Sequence, residues 1–135
     1  MKRRFGFALA IAGLFAASAV PVLAQGPALA MLDGLQKGSW ELRVRGEGGK
    51  AKKICLRDGR QLIQLRHNTE KCRRLVVEDT PNQVVVQYTC PGNGYGRTRI
   101  RRETPQLVQI DTQGIADGSP FAFAAEARWV GHCSR

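Results

Sequence analysis

The chain holds 135 residues, with 21 lysines and arginines against 11 acidic side chains, a formal charge of +10 and four cysteines. That length is one domain and excludes a string of several. The basic balance points to acidic partners: nucleic acid, anionic lipid headgroups or acidic polymers.

Residues 1–24 read as a secretory signal peptide. Lys2, Arg3 and Arg4 form a positive start, and Phe5 to Val20 is an uncharged apolar run. Val22 and Ala24 supply the short residues before a cut between Ala24 and Gln25. The run of 16 residues is shorter than the ~20 that a bilayer span requires. A second cut is available at Ala28-Leu29-Ala30, and the Arg3-Arg4 pair lacks the Phe-Leu that a twin-arginine signal places next. Removal of residues 1–24 leaves 111 residues and a charge of +7, enough chain to bury roughly 60–70% of its unfolded surface. The protein is therefore expected to be exported and periplasmic, which disfavours nucleic acid as a partner.

Residues 25–37 mix Gly, Pro and small apolar residues and read as a leader with at most one helical turn, ahead of a single domain at 38–135. From Gly38 the pattern has period two. Trp40, Leu42 and Val44 alternate with Glu41, Arg43 and Arg45, the mark of a strand with one wet face. Glu47-Gly48-Gly49 turns the chain into a second strand over 50–56. Asp58 can cap a short helix carrying Leu62, Ile63 and Leu65 on one side, although Gly59 falls in its first turn. Strands at 72–79 and 83–90 flank Thr80-Pro81-Asn82, where proline fixes φ and asparagine tolerates a positive one. Further strands follow at 95–103, 106–114 and 121–131, joined by loops at 91–94 and 116–120. Alternation of Phe121, Phe123, Ala125 and Ala127 favours a strand there over the helix that alanine alone would suggest. The fold class is all-β: about seven strands in a curved antiparallel meander, half-barrel or sandwich-like, with one short helix.

All four cysteines, Cys55, Cys72, Cys90 and Cys133, fall in the exported part, and an even count in a small secreted domain reads as two disulfides. Zinc is disfavoured, because no Cys-x-x-Cys occurs and neither His67 nor His132 stands at ligand spacing. Cys72 and Cys90 each lie nine residues from Pro81, which places them opposite one another across a hairpin and within bridging distance. That pairing leaves Cys55 to Cys133. It conflicts with the register that would set Leu75 and Val77 on the face of Val84, Val86 and Tyr88, unless a bulge intervenes. Cys55–Cys72 with Cys90–Cys133 is the rival connectivity.

The chain starts its first strand with Gly38, Trp40 and Glu41, and carries Cys55 ahead of a helix-prone stretch. It also has a cysteine-bounded hairpin from 72 to 90 and a terminal Gly131-His132-Cys133. Behind a signal peptide, this order resembles domain-of-unknown-function family 3617, exported bacterial proteins with four cysteines. The similarity covers about residues 38–133. Members usually carry a Thr- and Met-rich late region and many end in Gly-Asp-Cys, where this chain has arginines and Gly-His-Cys. The resemblance implies compartment and fold, and the family carries no established activity.

No catalytic constellation is legible, so the protein reads as non-enzymatic, without cofactor or metal. Ser39, Ser119 and Ser134 sit in no Gly-x-Ser-x-Gly elbow. His67 and His132 read as surface residues. Glu78 and Asp79 point to opposite faces of a strand and do not converge on one bond. Thiol redox chemistry lacks its Cys-x-x-Cys.

Two binding surfaces stand out. Period two sets Arg97, Arg99 and Arg101 on one face of a strand, about 6.6–7 Å apart. Such guanidiniums can fork onto the phosphates or carboxylates of an anionic lipid or polysaccharide surface. The same charges also serve to keep an outer strand soluble and unpaired. Trp40, Tyr88, Phe121, Phe123 and Trp129 could line the concavity of a curved sheet and hold a small apolar ligand, as lipocalin-like carriers do, or form an ordinary core. The expected role is a binding or structural module of the envelope, with the carrier as the alternative.

Overall fold

The computed structural model describes residues 28–46, 48, 50–68 and 71–134. The signal segment, leader residues 25–27, and Glu47 and Gly49 of the first turn lie outside the described residues. Seven strands form a single antiparallel sheet: β1 (Gly38–Val44), β2 (Ala51–Leu56), β3 (Arg73–Asp79), β4 (Gln83–Thr89), β5 (Tyr95–Thr104), β6 (Leu107–Ala116) and β7 (Ser119–Gly131). Their spatial order is β2-β1-β7-β6-β5-β4-β3, so the sheet is unclosed and β2 and β3 are its edges. Strands β3 to β7 are a meander, and the β1–β2 hairpin joins it through β1 and β7.

The one short α-helix among the described residues is α1 (Ala30–Asp33), in the segment read as a leader. Leu29, Met31, Leu32 and Leu35 of that segment are buried in the common core. Between β2 and β3 the chain crosses from one edge of the sheet to the other. It makes two 3-10 turns there, Gly59–Leu62 and Leu65–His67, in place of the expected helix. The cap is as expected: the Asp58 carboxylate accepts from the Arg60 N–H at 2.9 Å, and Gln61 Oε1 accepts from the Asp58 N–H at 2.9 Å. Packing then sets the turn. A Cβ on Gly59 would stand 2.4 Å from the Leu32 carbonyl oxygen, so only glycine lets the crossover lie against α1.

The crossover and α1 fill one face of the sheet. Trp40, Val84, Tyr88, Ile100 and Ile110 on that face are at most 1% exposed, as are Leu32, Leu62 and Ile63 above them. Burying each aliphatic side chain of this kind contributes about 1.5–3 kcal/mol. The interior is therefore packed, with the crossover as its lid. Hydrogen bonds fasten that lid. Thr98 donates from Oγ1 to the Ile63 carbonyl at 2.5 Å, and with that proton committed, Thr112 donates to Thr98 Oγ1 at 2.8 Å.

The disulfides are Cys55–Cys133 and Cys72–Cys90, with Cα separations of 5.6 and 4.3 Å. The register that the Cys72–Cys90 pairing requires holds from Arg73 to Val76, and a bulge shifts it beyond. Arg73 opposes Thr89, but Glu78 opposes Val85, so the register slips by one at Val77. Leu75 and Val77 do not join the face of Val84, Val86 and Tyr88. Val76 opposes Val86, Leu75 opposes Gln87, and Leu75 and Val77 are 63% and 47% exposed. The turn between β6 and β7 is tighter than the expected loop at 116–120. Asp117 and Gly118 take φ of 51° and 74°, the backbone of a two-residue hairpin turn.

At the opposite end of the sheet the tail is held by strand pairing, a disulfide and an indole hydrogen bond. Ser39 opposes both Cys55 and Gly131, so the chain bends around the end of β1 to bring Cys133 to β2. Trp40 and Trp129 donate their indole N–H groups to the carbonyls of Gln36 and Lys37, at 2.8 and 3.2 Å. A Cβ on Gly38 would meet the Gly131 carbonyl oxygen at 2.4 Å, which explains a glycine at the start of β1. The Gly-x-Trp-Glu start and the Gly-x-Cys end thus assemble into one closure.

Candidate functional site

Strand β5 lies between β4 and β6, so each residue that it points away from the core has a neighbour on either side. Arg97 lies between Gln87 and Gln113, Arg99 between Val85 and Asp111, and Arg101 between Gln83 and Gln109. All three arginines are exposed and share the face opposite the core. Their electrostatic situations differ. Arg101 Nη1 holds Glu103 Oε1 at 3.2 Å. Beside it, Gln109 donates to Glu126 at 3.2 Å and Arg128 pairs with the same carboxylate at 3.1 Å. Those two hydrogen bonds hold the Glu126 carboxyl below its ordinary value. Arg97 and Arg99, by contrast, form no ion pair with any described residue.

Two open grooves meet at Arg97. The larger, 660 Å³, is bounded by Arg73, Leu75 and Thr89 on one side and Tyr95, Arg97 and Gln113 on the other. The smaller, 460 Å³, runs past Arg99 and Asp111 and shares Arg97, Gln113 and Ala122 with the first. Arg73, Leu75 and Tyr95 were not singled out from the sequence. The signal for Arg73 and Leu75 is the Cys72–Cys90 pairing, which fixes the register that lays Leu75 beside Gln87; the β4–β5 hairpin then lays Gln87 beside Arg97 and Thr89 beside Tyr95.

The five aromatic residues do gather on one face. Trp129 opposes Trp40, Phe123 opposes Thr112, Phe121 opposes Gly114 and Tyr88 opposes Gly96. Trp40 and Tyr88 are fully buried and the other three are half-buried. The crossover occupies the space above them. The Arg66 guanidinium sits 5.8 and 5.7 Å from the ring centroids of Phe121 and Phe123, and the His67 ring meets Tyr88 edge-on at 5.3 Å.

His67 is not a surface residue: it is 1% exposed. Its Nε2 donates to the Asn93 carbonyl at 2.8 Å, which leaves Nδ1 to accept from the Tyr88 hydroxyl at 3.2 Å. Both ring nitrogens are committed, and the imidazole bolts the crossover to the sheet. His132 is exposed, edge-on to Trp129 at 6.1 Å. Gln64, buried next to the bolt, accepts from Arg74 Nη2 at 2.9 Å, and burial pulls that guanidinium below its ordinary value. The carboxylates of Glu78 and Asp79 serve the fold. Glu78 accepts twice from Gln83 Nε2, at 3.0 and 3.1 Å, and Asp79 accepts from the Leu29 N–H at 3.1 Å. Among the described residues no three His, Cys, Asp or Glu side chains cluster as metal ligands.

No protein-family model, no curated protein and no solved structure matches the chain. The likeness to the four-cysteine family therefore stays with the residues that carry it. Two disulfides with no free cysteine fit an oxidising compartment. Among the described residues no helix is long and apolar enough to cross a membrane.

Proposed function

We propose that the protein is an exported, periplasmic, non-enzymatic binding module of a bacterial envelope, whose outer sheet face engages anionic lipid surfaces through the β5 arginines. The observation that carries this reading is the contrast along the strand. Arg97 and Arg99 are exposed and lack ion pairs with described residues, whereas Arg101 is held by Glu103. A cation near an anionic membrane surface contributes about 1 kcal/mol, or roughly fivefold in affinity. Export is supported by the signal-like residues 1–24 and by the two disulfides.

The test is co-sedimentation with vesicles of phosphatidylglycerol and phosphatidylcholine in equal parts, at low and at physiological salt. Arg97→Gln and Arg99→Gln each weaken binding roughly fivefold, Arg101→Gln changes it less than either, and the triple variant abolishes the salt-sensitive part. The melting temperature stays unchanged, because all three side chains lie outside the core. Vesicle binding that the triple variant retains in full removes the reading, as does binding confined to acidic polysaccharide.

A further inference from the structure

The larger groove has a chemistry of its own. Among the described residues its charged lining is Arg73, Arg74 and Arg97, with no carboxylate. It also carries the two most exposed large hydrophobic side chains among the described residues, Leu75 at 63% and Tyr95 at 55%. Exposed apolar groups gathered beside unpaired cations mark a surface for an amphiphile, whereas scattered ones need no explanation.

The register gives the layout. One cross-strand row reads Arg73, Thr89, Tyr95, and the next reads Leu75, Gln87, Arg97. A cation and an apolar side chain therefore stand on each flank, with the neutral donors Thr89 and Gln87 between them. The flanking strands are two strand spacings apart and Arg73 and Arg97 stand one row out of step on them, so their backbones are about 12 Å apart on the diagonal, a span that two extended arginine side chains close over one phosphate. The groove volume of 660 Å³ falls within the ~300–1,000 Å³ of small-molecule sites.

We infer that this groove binds one anionic phospholipid as a single molecule, its phosphate forked between Arg73 and Arg97 and its acyl portion laid on Leu75 and Tyr95. The inference rests on the reading that this face binds anions, and it adds a defined pocket and an occupant. Free phosphate would satisfy the guanidiniums but leave Leu75 and Tyr95 in water. The two apolar corners of the groove therefore select the lipid.

Isothermal titration with dihexanoyl phosphatidylglycerol, kept below its micelle concentration, tests this. Dihexanoyl phosphatidylcholine and inorganic phosphate are the comparisons, and the vesicle assay runs in parallel. The expected result is one short-chain phosphatidylglycerol per protein, with both comparison ligands weaker. Arg73→Gln and Arg97→Gln each weaken it about tenfold, as loss of a hydrogen bond to a charged group does. Leu75→Gln weakens the lipid and leaves phosphate unchanged. Phosphate binding as tightly as the lipid, or full affinity in Arg73→Gln, overturns the inference. Vesicle binding without monomer binding overturns it while leaving the surface reading intact, and loss of both removes both.

Discussion

The lid over the sheet hangs on a short chain of hydroxyls, and its geometry predicts an asymmetry between two threonines. Thr98 and Thr112 oppose one another on β5 and β6, at 1% and 5% exposure. Thr98 donates to the Ile63 carbonyl and accepts from Thr112. Valine in place of Thr98 keeps the shape and opens no cavity, but it strips the partner from two groups at once, the Ile63 carbonyl and the Thr112 hydroxyl. Orphaning a buried polar group costs about 1–3 kcal/mol, and a hydroxyl that can turn costs the lower figure. Thr98→Val should therefore lose about 2–4 kcal/mol, roughly 8–16 °C in melting temperature for a domain of this size. Thr112→Val removes one donated bond and leaves the latch to Ile63 closed, a loss of about 1 kcal/mol. Because Thr112→Val removes the hydroxyl that Thr98→Val orphans, the double variant should cost no more than Thr98→Val alone. Urea unfolding followed by the fluorescence of Trp40 and Trp129 measures all three. Equal losses from the two single variants, or a larger one from Thr112→Val, would refute the directed chain of bonds.

The two disulfides should not be equivalent. Sequence separations of 78 and 18 give loop-entropy contributions of about 4.5 and 3 kcal/mol. Cys55→Ala/Cys133→Ala should thus lower stability more than Cys72→Ala/Cys90→Ala in the same urea assay, and the reverse order would show that packing around the buried Cys90 outweighs loop length. Acid titration probes the tie between α1 and the crossover. The Arg60 hydrogen bond, 2.6 Å from Asp33, holds that carboxyl below its ordinary value of 3.8. The stabilisation from this pair is present above the ordinary carboxylate range and is lost as pH falls through the lowered value. Asp33→Asn should be less stable than the parent at neutral pH and converge with it in acid, and a gap that widens on acidification would contradict the pairing.

What could be read in the sequence followed from period two. Alternation located the seven strands and placed Arg97, Arg99 and Arg101 on one face and the five aromatic residues on the other, because a strand leaves no third direction. Register was harder. The equal spacing of Cys72 and Cys90 from Pro81 contained the answer, but the apolar pattern argued against it, because Leu75 and Val77 are exposed and lie off the face of Val84, Val86 and Tyr88. The short segments over the sheet were the least legible. Four residues of helix and two 3-10 turns are too brief to show a period, and their shape is set by contacts such as Gly59 against Leu32. The burial of His67 was invisible for the same reason, as its partners Tyr88 and Asn93 lie 21 and 26 residues away. At the candidate site, the quenching of Arg101 had a local signal in Glu103, two residues on in the same strand. Arg73, Leu75 and Tyr95 had none until the hairpin was aligned.

The loop that Cys133 makes around the end of β1 fixes an order of assembly. Strand β1 can zip to β2 as soon as both exist, but its other side stays open until β7, the last strand to be made, arrives. A chain synthesised or threaded amino end first therefore exposes one edge of its first hairpin until β7 is made, and the oxidation that joins Cys55 to Cys133 can follow only then. A chain that lacks Cys133 keeps the β1–β7 pairing but loses the covalent tie from that seam to β2.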